Sequence, residues 1–127
     1  MTMRRAVVSV TTAADGSATA YTPPIAGKLH SVSYVKDGGA NPFANGVDFT
    51  ITKETTGEGI WTESDVNATA HRSPRAPTHS QAGVAALYAA AGTAVGDKIA
   101  MARERIKIVI AQGGDTKVGA FHFNYET

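Results

Sequence analysis

The chain of 127 residues contains no cysteine and has few charged residues. The absence of cysteine excludes disulfides, thiolate metal sites and cysteine nucleophiles. Charged residues make up only 18% of the chain and the formal net charge is +1, so no clustered excess of positive charge points to nucleic acid. Stability must therefore come from packing, or from assembly with other subunits.

Long hydrophobic runs are also missing. The basic start at residues 1–5 is followed by an apolar run that is too brief for a signal peptide. The least polar stretch, residues 82–95, is rich in alanine, and is too short and too mildly apolar to cross a bilayer. We therefore expect a soluble protein that is made in the cytoplasm of a cell and does not bind a membrane.

Motifs of catalysis and metal binding are absent too. No pair among the four histidines has the spacing of a helical metal motif, and no Gly-x-Ser-x-Gly nucleophile elbow occurs. Glu63 and Asp65 stand two residues apart, as two carboxylates on one strand face would, but we favour a solvated pair. We predict no enzyme activity, no cofactor and no metal site.

What the chain does contain is apolar alternation with period two, which is typical of half-buried strands. It is clearest in residues 103–126, where two alternating runs flank a glycine-rich turn at 112–117. We predict an antiparallel hairpin that sets three isoleucines beside three aromatic residues on one core face, with a basic stripe facing away. The residues are Ile106, Ile108 and Ile110; Phe121, Phe123 and Tyr125; and Arg103, Arg105 and Lys107.

Shorter alternating runs predict the remaining strands, and turn residues at 13–17 predict a first hairpin between the first two of them. In the run at 27–36 we place His30, Val32 and Tyr34 on one face and Leu29 on the other. The other runs lie at 6–12, 18–22, 47–55, 60–62 and 99–102.

Two segments predict long loops. Residues 37–46 are rich in glycine, and Phe43 is their only large apolar side chain, so we expect it to anchor the loop. Residues 63–82 contain two prolines, which argue against a central strand. The neighbouring residues 81–91 fit a short helix and an extended segment equally well.

About seven or eight short antiparallel strands with glycine-rich turns predict an all-β fold. The expected architecture is one β-sandwich or jelly-roll-like barrel that spans residues 1–127 as a single domain.

Several short motifs occur in a recognisable order. They are Asp-Gly-Ser-Ala at 15–18, Asp-Phe-Thr-Ile-Thr at 48–52, Pro-Arg-Ala-Pro-Thr-His at 74–79, Arg-Glu-Arg-Ile-Lys-Ile-Val at 103–109 and Lys-Val-Gly-Ala-Phe at 117–121. The arrangement covers most of the chain and resembles the small β-rich virion proteins of tailed bacteriophages that accompany the head genes.

The resemblance implies a decoration, or cement, protein of the virion. Such a subunit binds the outer surface of the assembled capsid, commonly as a homotrimer at local three-fold positions. It would clamp neighbouring subunits of the major capsid protein against the pressure of packaged DNA, without contacting nucleic acid itself. The resemblance supplies no active site.

For contacts with the capsid we predict Phe43, Trp61, Arg72 and Arg75, which lie in or beside the two long loops. A place in the core is an equally open alternative for Trp61. A second hypothesis for function is a neck, tail or fibre-associated virion subunit. A third is a carbohydrate-binding β-sandwich, which needs a platform of exposed aromatics from one tryptophan and four tyrosines.

Overall fold

The computed structural model describes all 127 residues and contains β-strands but no α-helix. This confirms the all-β prediction. The strands are β1 (Met3–Thr11), β2 (Ala18–Tyr21), β3 (Ile25–Lys36), β4 (Asp48–Lys53), β5 (Gly59–Glu63), β6 (Ala70–Arg72), β7 (Ala76–Pro77), β8 (Gly96–Asp97), β9 (Ile99–Glu104), β10 (Ile106–Ala111) and β11 (Val118–Glu126).

Two curled antiparallel sheets face each other as a sandwich that approaches a half-barrel. The first sheet has the order β1-β11-β3, and β6 and β9 follow one another along the far edge of β3. The second sheet has the order β2-β10-β4-β5. Strands β7 and β8 form a separate two-stranded ladder outside both sheets.

Both hairpins predicted from the sequence are wrong. Strand β1 pairs with β11, and β2 pairs with β10, so each predicted hairpin has its two strands in different sheets. The turns at 13–17 and 112–117 therefore carry the chain from one sheet to the other. Alternation shows which residues face the core, but it does not show which strand lies alongside.

The two turns lie against each other and form the first corner of the sandwich. The Gly113 N–H donates to the Gly16 carbonyl at 2.9 Å. The buried Thr12 hydroxyl donates to the Gly114 carbonyl at 2.6 Å and accepts from the Lys117 N–H at 2.8 Å. These bonds satisfy backbone groups that the change of sheet removes from the ladders.

A second corner joins β2 to β3 and β9 to β10. The Thr22 N–H donates to the Ile106 carbonyl at 3.0 Å, and the Ile106 N–H donates to the Thr22 hydroxyl at 2.9 Å. The prolines that follow Thr22 cannot donate to a ladder, so the chain leaves the second sheet there. Residues 3–29 and 99–126 thus form one long antiparallel ribbon that folds twice, as in a jelly roll.

The second corner also breaks the predicted basic stripe. Arg103 has a φ of 53° beside an irregular register, and the chain changes sheets directly after Glu104. Arg105 lies over the Tyr21 ring at 4.2 Å and pairs with Glu54. The three basic residues therefore do not share one face.

The core lies between the sheets and contains 19 buried hydrophobic residues. Ile106, Ile108 and Ile110 are fully buried in the second sheet, and Phe121 and Phe123 are fully buried in the first. The two groups share one core, as predicted, although they face each other across the sandwich and are not side by side.

Phe43 anchors the loop at 37–46, as predicted. Its ring stacks on Tyr34 at a centroid distance of 5.8 Å. Gly119 makes room for this stack, since a Cβ there would lie 2.5 Å from the Phe43 ring.

The faces predicted for β3 are partly wrong. Leu29 is buried together with Val32 and Tyr34, although the alternation predicts the opposite face for it. A bulge between Ser31 and Leu29, opposite the Asn124–Tyr125 step, adds one residue and so shifts the alternation.

Candidate partner-binding surface

Residues 74–98 leave the sandwich as a segment that we call the arm. Backbone hydrogen bonds tie its extended segments together near the middle, where the Thr78 N–H donates to Val95 at 2.9 Å and the Ala86 N–H donates to Thr78 at 2.9 Å. The extended segments are 76–79, 84–88 and 93–97, and the turns between them are 80–83 and 89–92.

The arm answers the question that the sequence left open at 81–91, because the segment is extended and not helical. Gly83 and Ala91 have φ values of 80° and 58°, which an α-helix does not contain. A short helix is marginal without a buried apolar face. The arm offers no body against which such a face would pack.

The surface of the arm is exposed and uncharged. Every residue from 81 to 94 is exposed, and no charged residue occurs between Ser80 and Gly96. Three large side chains stand in solvent: Val84 is 66% exposed, Leu87 44% and Tyr88 74%. Depletion of charge together with an aromatic residue is typical of the centre of a protein–protein interface.

Charged residues hold the root of the arm on both sides. Where the chain leaves the sandwich, Arg75 Nη1 donates to the His30 carbonyl on β3 at 3.0 Å. Where the chain returns, Lys98 Nζ donates to Glu126 Oε1 on β11 at 2.6 Å. The Lys98 hydrogen bond stabilises the carboxylate and so lowers the pKa of Glu126.

A second ion pair lies just before the root. Arg72 on β6 donates Nε and Nη2 to the two carboxylate oxygens of Glu63 on β5, at 2.9 and 2.8 Å. The Arg72 guanidinium lies 5.4 Å from the Trp61 ring centroid, and Trp61 Nε1 donates to the same carboxylate at 3.1 Å. We call these three residues the brace, because they connect the exposed ends of two strands.

Hydrogen bonding within the brace shifts the pKa values of Glu63 and Arg72. The bonds from Arg72, and then that from Trp61, lower the pKa of Glu63, and the same pairing raises the pKa of Arg72. Glu63 is therefore ionised at neutral pH and has no proton to donate as a general acid. Asp65 lies beyond the end of β5 with a φ of 56°, so the two carboxylates do not share a strand face.

The structure separates the four residues predicted as partner contacts into two groups. Phe43 is 3% exposed and Trp61 is 6% exposed, so both side chains belong to the core and present almost no surface. For Trp61 this supports the core alternative. Arg72 and Arg75 lie at and beside the root of the arm, and their role in partner contact stays a prediction.

Sequence reasoning missed Val84, Leu87 and Tyr88 as candidate contacts. A signal was present, because residues 80–96 form a run of 17 without charge in a part of the chain that lacks sustained strand alternation. The alanines of this run fit a helix as well as an extended segment, and neither pattern shows by itself which side chains stay in solvent.

The surface has no deep cleft. The two largest depressions each measure about 490 Å³, one beside Arg4 and Arg5 and one along residues 65–72. No three His, Asp or Glu side chains converge as metal ligands would, and a chain without helices has none able to span a membrane.

No family model matches the chain, and the curated proteins contain no match to it.

Proposed function

We propose that this chain is a structural subunit whose arm binds repeated protein neighbours on the outer surface of a bacteriophage capsid. The observation that carries the proposal is the exposed, charge-free surface of the arm with Val84, Leu87 and Tyr88. The capsid, and a homotrimer as the bound form, come from the resemblance to virion decoration proteins.

The arm suits a role in assembly. Exposed apolar side chains cost free energy in water and regain it when a partner covers them. The salt bridge and hydrogen bond at the root, together with two prolines, limit the conformations of the arm, so that docking loses less entropy. The arm is small, so one contact is weak, but many copies on a symmetric lattice gain through avidity.

A carbohydrate ligand is less well supported. Sugar binding requires several exposed aromatic rings that form a platform. Trp61 and Tyr34 are buried, Tyr125 is partly buried against the core, and Arg105 covers one face of Tyr21. Tyr88 alone does not make a platform.

Binding to empty capsids tests the proposal. Expanded capsids assembled without this chain are mixed with the purified protein and sedimented, and the bound fraction is measured. We expect the variant Val84→Ser/Leu87→Ser/Tyr88→Ser to bind at least about tenfold more weakly, since interface centres carry most of the binding free energy. The matched control is Val7→Ser/Val35→Ser, which removes exposed valines from the first sheet and should bind normally.

Two results would contradict the proposal. Binding to capsid-free tails with none to capsids would indicate a neck or tail subunit. Capsid binding that the arm variant and the valine control lose equally would show that the arm is not the contact surface. An image reconstruction of the particle then gives the copy number relative to the major capsid protein.

A further inference from the structure

Charges without an ion-pair partner separate to opposite ends of the sandwich. The four salt bridges use four of the 12 basic and four of the 11 acidic residues, which leaves eight basic and seven acidic residues. Five of those basic residues lie at the end where β1 begins, and five of the acidic residues lie at the end where β1 finishes. They are Arg4, Arg5, Lys28, Arg75 and Arg103, and Asp15, Asp37, Asp48, Asp65 and Asp115.

At the basic end the side chains surround adjoining depressions. Arg4 and Arg5 line one depression together with His30, and Arg4 and Arg103 line the next. Arg75 donates to the His30 carbonyl and so lies beside the first depression. Lys28 lines a third depression near the last residues of the chain.

At the acidic end the aspartates lie on the turns and strand ends of the first corner. Asp15 and Asp115 lie in the two turns that the Gly113–Gly16 hydrogen bond joins. Asp37 directly follows β3, and Asp48 begins β4 and accepts the Asp65 N–H at 3.2 Å. None of the five forms a salt bridge within the chain.

Each end also contains two residues of the opposite sign. Lys36 and Lys117 lie at the acidic end, and Asp97 and Glu104 lie near the basic end. Each end therefore keeps an excess of three formal charges.

The two ends are too far apart to neutralise each other within one molecule. Strand β1 has nine residues and spans roughly 26 Å at about 3.3 Å per residue. Charges in water are screened over about 8 Å at physiological ionic strength. Within one molecule the two ends therefore attract each other little, and they can come into contact only between two copies.

We infer that the basic end of one copy binds the acidic end of the next copy. The excess charges at the two ends are opposite and equal in number, so one copy supplies what the other lacks. A nucleic acid would match only the basic end, and there Asp97 and Glu104 would repel its phosphates. The contact joins two different surfaces, so it generates a ring or an open string of subunits.

Charge reversal and mixing test the inference with the purified chain alone. Sedimentation velocity in dilute buffer should show assemblies that grow with protein concentration and dissociate in about 0.5 M salt. The variants Arg4→Glu/Arg5→Glu and Asp15→Lys/Asp115→Lys should each self-associate at least about tenfold more weakly. The first variant keeps the native acidic end and the second keeps the native basic end, so mixing them should restore the contact and form one-to-one pairs.

Mixing also shows that neither variant has merely lost its fold. Lys107→Glu, on the outer face of the second sheet, is a control whose self-association should not change. No assembly by the wild-type chain in dilute buffer, or no restoration on mixing, would overturn the inference. So would a chain that stays monomeric while its basic end binds a short duplex DNA at physiological salt. Capsid binding is not needed for any of these results.

Discussion

The three residues of the brace connect the core of this protein to its surface. Trp61 packs edge-on against Phe49 in the core, at a centroid distance of 5.5 Å, while its indole N–H reaches the Glu63 carboxylate. Arg72 covers the outer side of the ring and occupies both oxygens of that carboxylate. Trp61 and Arg72, which are both predicted partner contacts, thus direct their polar groups to Glu63 of the same chain.

The brace predicts a pH-dependent contribution to stability. The pKa of Glu63 is lowered in the folded state, so the contribution is full above its ordinary value of 4.5 and disappears as the pH falls through the lowered value. Glu63→Gln should reduce the free energy of unfolding at pH 7 by up to about 1 kcal/mol, because the pair is partly exposed and screened. Urea denaturation measures this loss, which should shrink near pH 3.

Asp65→Asn provides the control, because Asp65 is exposed and forms no salt bridge. This variant should change the free energy of unfolding little at either pH. A loss for Glu63→Gln that is equally large at pH 7 and near pH 3 would show that ionisation of Glu63 is not its cause.

Among the elements, the corners define the fold more than the strands do. Each alternating run is too short to bury a core by itself. The first corner holds the ends of four strands together through Thr12, whose hydroxyl is 2.6 Å from the Gly114 carbonyl. Gly16 and Gly114 have φ values of 83° and 85°, which let the two turns bend closely together.

Thr12→Val should destabilise the protein by about 1–3 kcal/mol, because valine keeps the volume but leaves the Lys117 N–H and the Gly114 carbonyl without this partner. The free energy of unfolding from chemical denaturation measures the loss. Thr19→Val on β2 removes an exposed hydroxyl and is the matched control, with an expected change within about 0.5 kcal/mol. Equal losses for the two variants would mean that the hydrogen bonds of Thr12 contribute no more to stability than an exposed hydroxyl does.

The whole molecule is organised by pairing between its two sequence ends. Residues 3–29 and 99–126 form the folded ribbon, while strands β4 and β5 extend the second sheet and the arm projects outside. Thr2 and Thr127 exchange backbone hydrogen bonds at 3.2 and 2.9 Å, so the first and last residues lie together. Neighbours in space are therefore often distant in sequence, which predicts slow folding for a chain of this size.

Circular permutation tests this organisation. A short glycine linker joins Thr127 to Met1, and the new termini are placed after Ala90 in the exposed arm. We expect this permutant to fold, with a free energy of unfolding within about 1–2 kcal/mol of the original, because no buried residue or strand is cut.

The control permutant opens the chain between Gly113 and Gly114, inside the first corner. It should be far less stable or fail to fold, since it interrupts backbone that crosses between the sheets. Circular dichroism and denaturation compare the two permutants. Equal stability would show that the first corner does not hold the fold together.

The sequence by itself determined the fold class, most of the strands and the centre of the core. The alternation of Ile106, Ile108 and Ile110 and of Phe121 and Phe123 is a local property of the chain, because successive side chains of a strand point to opposite faces. The sequence also predicted that Phe43 anchors the 37–46 loop, because burying the single large apolar side chain of this glycine-rich segment is favourable.

Only the tertiary structure decided the pairing of the strands and the nature of the arm. A glycine-rich turn such as 112–117 suits a hairpin and a crossing between sheets equally, and the choice depends on Thr12 and Gly16 about a hundred residues away. Trp61 was placed in the core by its packing against Phe49. The arm became a candidate interface only when the structure left Val84, Leu87 and Tyr88 in solvent, because exposure depends on the whole fold and not on local sequence.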